Sequence, residues 1–340
     1  MTRGPYVGGP VVDEFESAFA EYLGVRHVVG VASGTDAIAL ALNGLGVSAG
    51  DEVITVANTC IPTVAGVERA GATPVLVDVD ESSWNLDPAQ LESRLTDRTT
   101  AILPVHLYGR VAAMERILAF ARDHGLVVVE DAAQAHGAAL GGRRAGSLAD
   151  AATFSFYPTK NLGAMGDAGA VATDSDEVAD RVRLLRSYGE RERYSSVAHG
   201  WNSRLDPIQA AILLAKLPHL DSWNARRREI AARYRRELAA FDQRSDAPAD
   251  GDVHHLHVIR VRDRARFRQH MREHGVETLV HYPRAVHEHD AYAALGHPGL
   301  ACSERLCREV VSIPLYPALP DAEVEQVIAA ASLWAEGEAA

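Results

Sequence analysis

The chain has only three cysteines, Cys60, Cys302 and Cys307, and no C-x-x-C pair, which argues against a disulfide framework or a zinc site and fits a reducing cytoplasm. No stretch reaches the ~20 apolar residues that span a bilayer, and the opening "MTRGPYVGGP" has no apolar signal core. Positive charge is also scarce: 34 Lys and Arg face 46 Asp and Glu, a net charge of -12. Such a surface repels phosphate backbones and anionic lipid on average, so general nucleic-acid or membrane binding is not expected, while local sites for small phosphates stay open. Internal repeats and low-complexity segments are missing as well.

What is present is ordinary for a globular chain: 47% apolar and 24% charged residues over a length of 340. That length exceeds one typical core, so two domains are expected. Apolar residues at helical spacing run from Val12 to Leu23, and "VRHVVGVA" then reads as a buried strand leading through "SGT" into an Ala/Leu-rich helix. The alternation continues through "DEVITVA", "PTVAGVERAGA", "TPVLVDVD", "TAILPVHLYG", "MERILAFARDHG" and "LVVVEDAA". Short apolar strands alternating with helices predict an α/β domain, a mostly parallel sheet with helices on both faces and a ligand site beyond the strand C-termini. Residues Ser33 to Thr35, Asn58 to Cys60 and Asp131 to Gln134 follow strands in this reading.

From "NSRLDPIQAAILL" to "YRRELAAF" the pattern is one long, basic, amphipathic helix, followed by the polar stretch "DQRSDAPADGD". Strand-like "VHHLHVIRV", "ETLVHYP" and "EVVSIPLYPAL", separated by helices, predict a smaller α+β domain. The boundary falls near Lys216 to Leu220, giving domains 1–217 and 218–340.

Three constellations carry chemistry. In "GVASGTDAIAL", Ser33, Gly34 and Thr35 at a helix start offer hydroxyls and free backbone N–H groups that suit a phosphate, or Ser33 and Thr35 simply cap the helix. In "VVVEDAAQAHGA", Asp131 ends a buried strand, where a carboxylate calls for a cation or hydrogen-bond donors; Glu130 beside it reads as a structural carboxylate. In "FSFYPTKNLGAMGDAGA", Lys160 sits among an aromatic, a proline and glycines. A loop lysine is ordinarily solvated, but a buried one has a lowered pKa and a nucleophilic amine able to form a Schiff base. Ser155 precedes it by five residues and can also reach a phosphate. A phosphate cradle, a strand-end Asp and a lysine, in that order, are what pyridoxal phosphate requires.

With these motifs, and with "GPYVGGPVVDEFESAFAEYLGV", "AGATPVLVDVD", "GWNSRLDPIQAAIL" and "SIPLYPAL", nearly the whole chain resembles the sugar-nucleotide aminotransferases of the DegT/StrS type, which are fold type I pyridoxal phosphate enzymes. The resemblance implies that Lys160 is the Schiff-base lysine, that Asp131 pairs with the pyridinium nitrogen and that Gln134 lies near the ring hydroxyl. It implies Ser33, Gly34, Thr35 and Ser155 on the phosphate, and Asn202 reaching the phosphate across a homodimer interface. Two departures from the family pattern stand out. Cys60 occupies the place of a ring-stacking aromatic, leaving Ala133 to pack the opposite ring face. The chain also begins almost at "GPYVGG", where many relatives carry a further N-terminal segment.

The implied reaction is transfer of an amino group from L-glutamate or a similar donor to a keto sugar linked to a nucleoside diphosphate. The forms "GDAG" and "NSRLD" favour a 3-keto-6-deoxyhexose; a 4-keto sugar or a keto-cyclitol is the alternative, and a non-catalytic regulator or sensor that binds the cofactor is another. Dehydratase relatives carry a histidine at the position of Lys160. Tyr157, Tyr188, Arg204, His281 and Tyr282 are candidate substrate contacts. Histidines His254, His255 and His257 lie in a strand-like stretch where at most His255 and His257 share a face, and no metal site is expected there.

Overall fold

The computed structural model describes residues 5–241 and 251–339; positions 242–250 of the polar stretch and the first four residues lie outside them. The N-terminal part runs α1 (Pro10–Leu23), β1 (His27–Val31), α2 (Gly34–Gly44), β2 (Glu52–Val56), α3 (Ile61–Arg69), β3 (Thr73–Val77), β4 (Thr99–Ile102), α4 (Met114–His124) and β5 (Val127–Asp131). A small ribbon of β6 (Ala139–Leu140) and β7 (Arg143–Arg144) precedes β8 (Ala151–Ser155), β9 (Gly169–Thr173) and α5 (Asp176–Leu185). A second ribbon, β10 (Glu190–Glu192) and β11 (Ser195–Ser196), leads to α6 (Pro207–Lys216) and α7 (Leu220–Glu237).

Seven strands form one sheet in the order β1-β9-β8-β5-β4-β2-β3. It is parallel from β8 to β3, but β9 runs antiparallel to both β1 and β8. Because β8 and β9 are antiparallel neighbours, the loop carrying Lys160 joins them without a crossover helix and stays at the C-terminal end of β8. Strand alternation splits the core between two faces. Val28 joins Phe15 and Phe19 of α1, whereas Val29 joins the Ala/Leu face of α2. At the end of β8 and just past it the same alternation buries Phe154 and Phe156 edge-on against Phe19 of α1, with ring centroids 5.0 and 5.5 Å away, and leaves Ser155 facing the other way.

The single long helix expected after "NSRLD" is two helices, α6 and α7, separated by a 3-10 turn at Leu217–His219. Pro218 explains the break, since it lacks the N–H that would continue the ladder. Beyond it, β12 (His257–Arg260), α8 (Arg264–Glu273), β13 (Val310–Ile313) and α10 (Asp321–Ala339) join α7 around a separate apolar core of Ile230, Tyr234, Ile259, Phe267, Val311 and Val324, while α9 (Ala301–Glu309) turns Leu306 into the core beside β2, β4 and α4. Of the three strand-like segments, two pair as β12 and β13, and "ETLVHYP" contributes only the bridge of Leu279 to Ser312. Among the described residues no helix is long and apolar enough to cross a membrane.

Candidate active site

The ends of β1, β2, β5 and β8 meet around a cavity of about 310 Å³. Ser33, Gly34, Thr35, Cys60, Asp131, Ala133, Gln134, Ser155 and Lys160 all line it, as do Tyr157, His281 and Tyr282. Five separate chain segments are thus gathered by the topology alone.

Asp131 terminates β5 fully inside the protein, and two groups donate to its carboxylate: the Thr63 hydroxyl at 2.8 Å and the Ala133 N–H at 3.2 Å. Burial pushes its carboxyl above the ordinary value, opposed by those donors and then by the positive charge of Lys160. Lys160 shows the mirror image. Burial holds its amine below the ordinary lysine value, opposed by Asp131 and by Cys60. Each group in isolation therefore favours its neutral form, and each draws the other toward charge. Three imidazoles around the amine, His136, His255 and His281, are all lowered, by burial first and then by Lys160.

The neighbouring carboxylate has a different occupation. Glu130 accepts from the N–H groups of Gly146, Leu148 and Ala149 at 2.9, 2.8 and 3.1 Å, and its Oε2 lies 2.9 Å from His106 Nε2. His106 Nδ1 accepts from the Ala112 N–H, so the ring proton sits on Nε2 and is donated to Glu130. Every oxygen lone pair that faces protein is used, which leaves Glu130 as a structural anchor and Asp131 as the carboxylate open to the cavity.

The segment at the start of α2 is built as a cradle. Ser33 caps the helix, its Oγ accepting from the Asp36 N–H at 3.1 Å. A Cβ at Gly34 would lie 2.6 Å from Ser155 Cβ, and one at Gly169 would lie 2.3 Å from Ser33 O, so only glycine lets these backbones come together. The unpaired N–H groups of the first turn, the hydroxyls of Thr35 and Ser155 and the positive end of α2 converge on one side of the cavity. A phosphate ester fits this donor set, an aldehyde fits a buried amine of lowered pKa, and a protonated ring nitrogen fits Asp131. The residues present therefore suit pyridoxal phosphate.

Gln134 is held on both sides: its Oε1 accepts from the Tyr108 N–H at 2.7 Å and its Nε2 donates to the Tyr282 hydroxyl at 3.0 Å. Tyr282 in turn reaches Cys60, whose thiol is pushed up by burial. The place given to an aromatic in the family pattern is thus filled by a thiol tied to a tyrosine from a distant loop. Thr63 and Tyr108 escaped the reading of the sequence. Thr63 was detectable only as the residue one helical turn beyond Thr59, and nothing in the sequence marks Tyr108.

Asn202, Arg204 and Tyr188 do not line this cavity. They form a group of their own, with Arg204 Nη2 donating to Asn202 Oδ1 at 2.8 Å and lying over the Tyr188 ring. The next residue, Ser203, ties that group to the cradle by donating to Asp36 at 2.7 Å and accepting from the Ala32 N–H at 3.1 Å. His254 and His255 precede β12, with His254 in left-handed backbone, so strand alternation does not govern them. His255 Nδ1 bonds Asn161 Oδ1 at 3.0 Å, and the His257 ring packs on the edge of Tyr234. Among the described residues no group of three or more His, Cys, Asp or Glu side chains is placed to hold a metal ion.

Residues 1–332 match the DegT/DnrJ/EryC1/StrS aminotransferase family. The chain is 47% identical over 341 residues, 99% of its length and 90% of the relative's, to the dTDP-3-amino-3,4,6-trideoxy-alpha-D-glucose transaminase of Streptomyces venezuelae. The crystal structure of S. venezuelae DesV in complex with a ketimine intermediate superimposes with a TM-score of 0.95 at 47% identity, covering 98% of this chain and 91% of that one. NtdA of Bacillus subtilis, solved with bound cofactor PMP, has a TM-score of 0.92 at 34% identity, over 98% and 79% of the two chains. The protein belongs to the DegT/DnrJ/EryC1/StrS aminotransferase family.

Proposed function

We propose that this pyridoxal-phosphate-dependent aminotransferase moves an amino group from L-glutamate or a similar donor to the 3-keto group of a 6-deoxyhexose carried on a nucleoside diphosphate. The observation that carries the reading is the buried Lys160 amine facing Asp131 in a cavity with a phosphate cradle. Similarity to a transaminase that makes a 3-amino sugar supports the position of attack.

Ser33, Gly34, Thr35 and Ser155 would hold the cofactor phosphate, Asp131 the ring nitrogen and Gln134 the ring hydroxyl, with Ala133 and Cys60 against the ring faces. When bound, pyridoxal phosphate supplies an electron-poor ring that stabilises negative charge at the donor's α carbon. Lys160 would hold the cofactor's aldehyde, and its Nζ would be the group that takes the donor's α proton and returns it. Lowering of the Nζ pKa by burial keeps a neutral, proton-accepting amine available, and the loop fixes it within reach.

The group of Asn202, Arg204 and Tyr188 supports a homodimer in which these residues complete the partner's cavity. Residues 1–217 form the cofactor domain and 218–340 the smaller one in this reading, supported by the separate C-terminal core. The free cysteines support a cytoplasmic setting. The decisive experiment takes the protein through the donor half-reaction with L-glutamate, then offers 3-keto and 4-keto nucleotide sugars and keto-cyclitols while the cofactor's absorbance is followed. The 3-keto sugars should restore the starting spectrum fastest. If none of the panel restores it, the substrate class is wrong.

A further inference from the structure

The chain contains two lysines in 340 residues, Lys160 and Lys216. Both line one cleft of about 1150 Å³, which opens between the Lys160 loop, the start of α7 and the segment following β13. The cleft adjoins the cofactor cavity, since Thr159, Lys160, His255 and His281 line both.

Arg227, on α7, lines the same cleft and is only 6% exposed. All of its hydrogen bonds leave from Nη1, to the carbonyls of His254, His255 and Leu315 at 3.4, 3.1 and 3.1 Å. Its buried Nε has no acceptor, and no carboxylate pairs with it among the described residues. Nε and Nη2 together form the edge that a carboxylate takes with two parallel hydrogen bonds. Lys216 donates to the Gly163 carbonyl at 2.6 Å and likewise has no carboxylate partner among the described residues. The acidic groups of the cleft are engaged elsewhere: Glu277 lies 3.6 Å from Arg272, and Glu323 accepts from the Tyr316 hydroxyl at 3.2 Å. A chain with twelve more acidic than basic side chains has thus left two cations uncompensated in one cleft beside its reactive amine.

We propose that this cleft recognises the side-chain carboxylate of a dicarboxylic amino donor, with Arg227 as its principal contact and Lys216 as a second cation. The assignment to the remote carboxylate follows from the layout. Lys160 and His255 line both the cleft and the cofactor cavity, whereas Arg227 lines the cleft alone and reaches His255 through its carbonyl, so the guanidinium lies on the side of the cleft away from the cofactor cavity. One planar edge matches one carboxylate; a nucleoside diphosphate would present more oxygens than the remaining donors satisfy.

The proposal rests on the transamination reading, and its test keeps the two apart. Glutarate, a dicarboxylate without the amine, is titrated calorimetrically into the cofactor-loaded protein, and donor kinetics are measured with L-glutamate, L-glutamine and L-norvaline. Glutarate should bind, with affinity reduced about tenfold to a hundredfold in Arg227→Gln and by a smaller factor in Lys216→Met. L-Glutamate should have the lowest KM of the three donors, and Arg227→Gln should raise that KM by a similar factor while the KM for the keto sugar holds. Glutarate that fails to bind, or binds both variants as well as the natural protein, overturns the site while transamination stands. Glutarate binding that depends on Arg227 in a protein that aminates no ketone sinks the transamination reading and leaves the anion site intact. Should Arg227→Gln not fold once three carbonyls lose their donor, Lys216→Met and the donor series decide: equal KM values for L-glutamate and L-norvaline refute the proposal.

Discussion

Replacing Glu130 by glutamine should unfold the protein far more readily than replacing Asp131 by asparagine, although the two are neighbours on one strand and both are buried. Glu130 Oε1 faces the N–H groups of Leu148 and Ala149, and Oε2 faces the Gly146 N–H and His106 Nε2. Whichever oxygen becomes the amide NH₂, two donors are left pointing at a donor. His106 offers no escape, because moving its proton to Nδ1 removes the acceptor used by the Ala112 N–H. Each buried donor without a partner costs about 1 to 3 kcal/mol, so Glu130→Gln should lose about 2 to 6 kcal/mol, a large share of the roughly 5 to 15 kcal/mol that holds a protein folded.

Asp131 differs because one of its two donors can turn. An asparagine keeps one oxygen for the Ala133 N–H and presents its NH₂ to Thr63, whose hydroxyl can accept while donating instead to Thr59, 2.8 Å away. The change should shift stability by about 1 kcal/mol or less. Turnover should nevertheless fall on the order of a hundredfold or more, the scale of losing one preorganised electrostatic group. Chemical denaturation of both cofactor-free variants, beside turnover of the loaded proteins, is the assay. A Glu130→Gln protein as stable as the natural one but inactive would refute this division of labour.

Three other expectations follow from the same geometry. Lys160→Ala should bind the cofactor without a borohydride-stable bond and lose at least about a hundredfold in turnover; since Lys216 is the only other lysine, peptide mapping gives a binary answer, and a label on Lys216 would overturn the assignment. Lys160 has a lowered folded-state pKa, so the unfolded chain binds more protons at that site, and the resulting penalty shrinks as pH rises toward the ordinary 10.5. Denaturation midpoints of the cofactor-free protein should therefore gain a contribution on the alkaline side that Lys160→Met lacks, and parallel profiles would contradict it. Mixing inactive Asn202→Ala with inactive Lys160→Ala should restore about a quarter of the natural activity, because half the dimers are mixed and each has one intact site; no recovery would mean that Asn202 acts within its own subunit.

Much of this site was legible because strand ends are legible. "VVVED", "FSFYPTK" and "ASGT" each join an apolar run to polar residues, and in an alternating α/β chain such junctions collect at one edge of the sheet. The antiparallel course of β9 was not visible, since a buried run of Gly, Ala and Val reads the same in either direction. Nor was the role of Tyr108, whose N–H fixes Gln134 and whose hydroxyl donates to the His281 carbonyl. Its task depends on where a loop 173 residues away comes to rest. The split of α6 from α7 was available in Pro218 and was overridden by a continuous amphipathic pattern.

The C-terminal part escaped the sequence most, and the reason bears on how the site works. Its strands are short, and apart from Ser312 and Ile313 at the end of β13 its contributions to the two cavities come from residues outside them, among them His255 before β12, His281 and Tyr282 after the bridge at Leu279, and Leu315 past β13. Arg227 gathers two of these segments through the carbonyls of His255 and Leu315, while Gln134 grips the third through Tyr282. This wall of the cleft is therefore held by the side chains of Arg227 and Gln134 together with isolated backbone contacts, the His255 N–H on the Tyr108 carbonyl and the Leu279–Ser312 bridge, and not by a continuous ladder. Such contacts exchange more easily than strand pairing does. A wall hung from such contacts is the part of the cleft best able to adjust to occupants of different size, whereas Asp131 at the end of β5 and the β8–β9 junction that carries the Lys160 loop are anchored in the seven-stranded sheet.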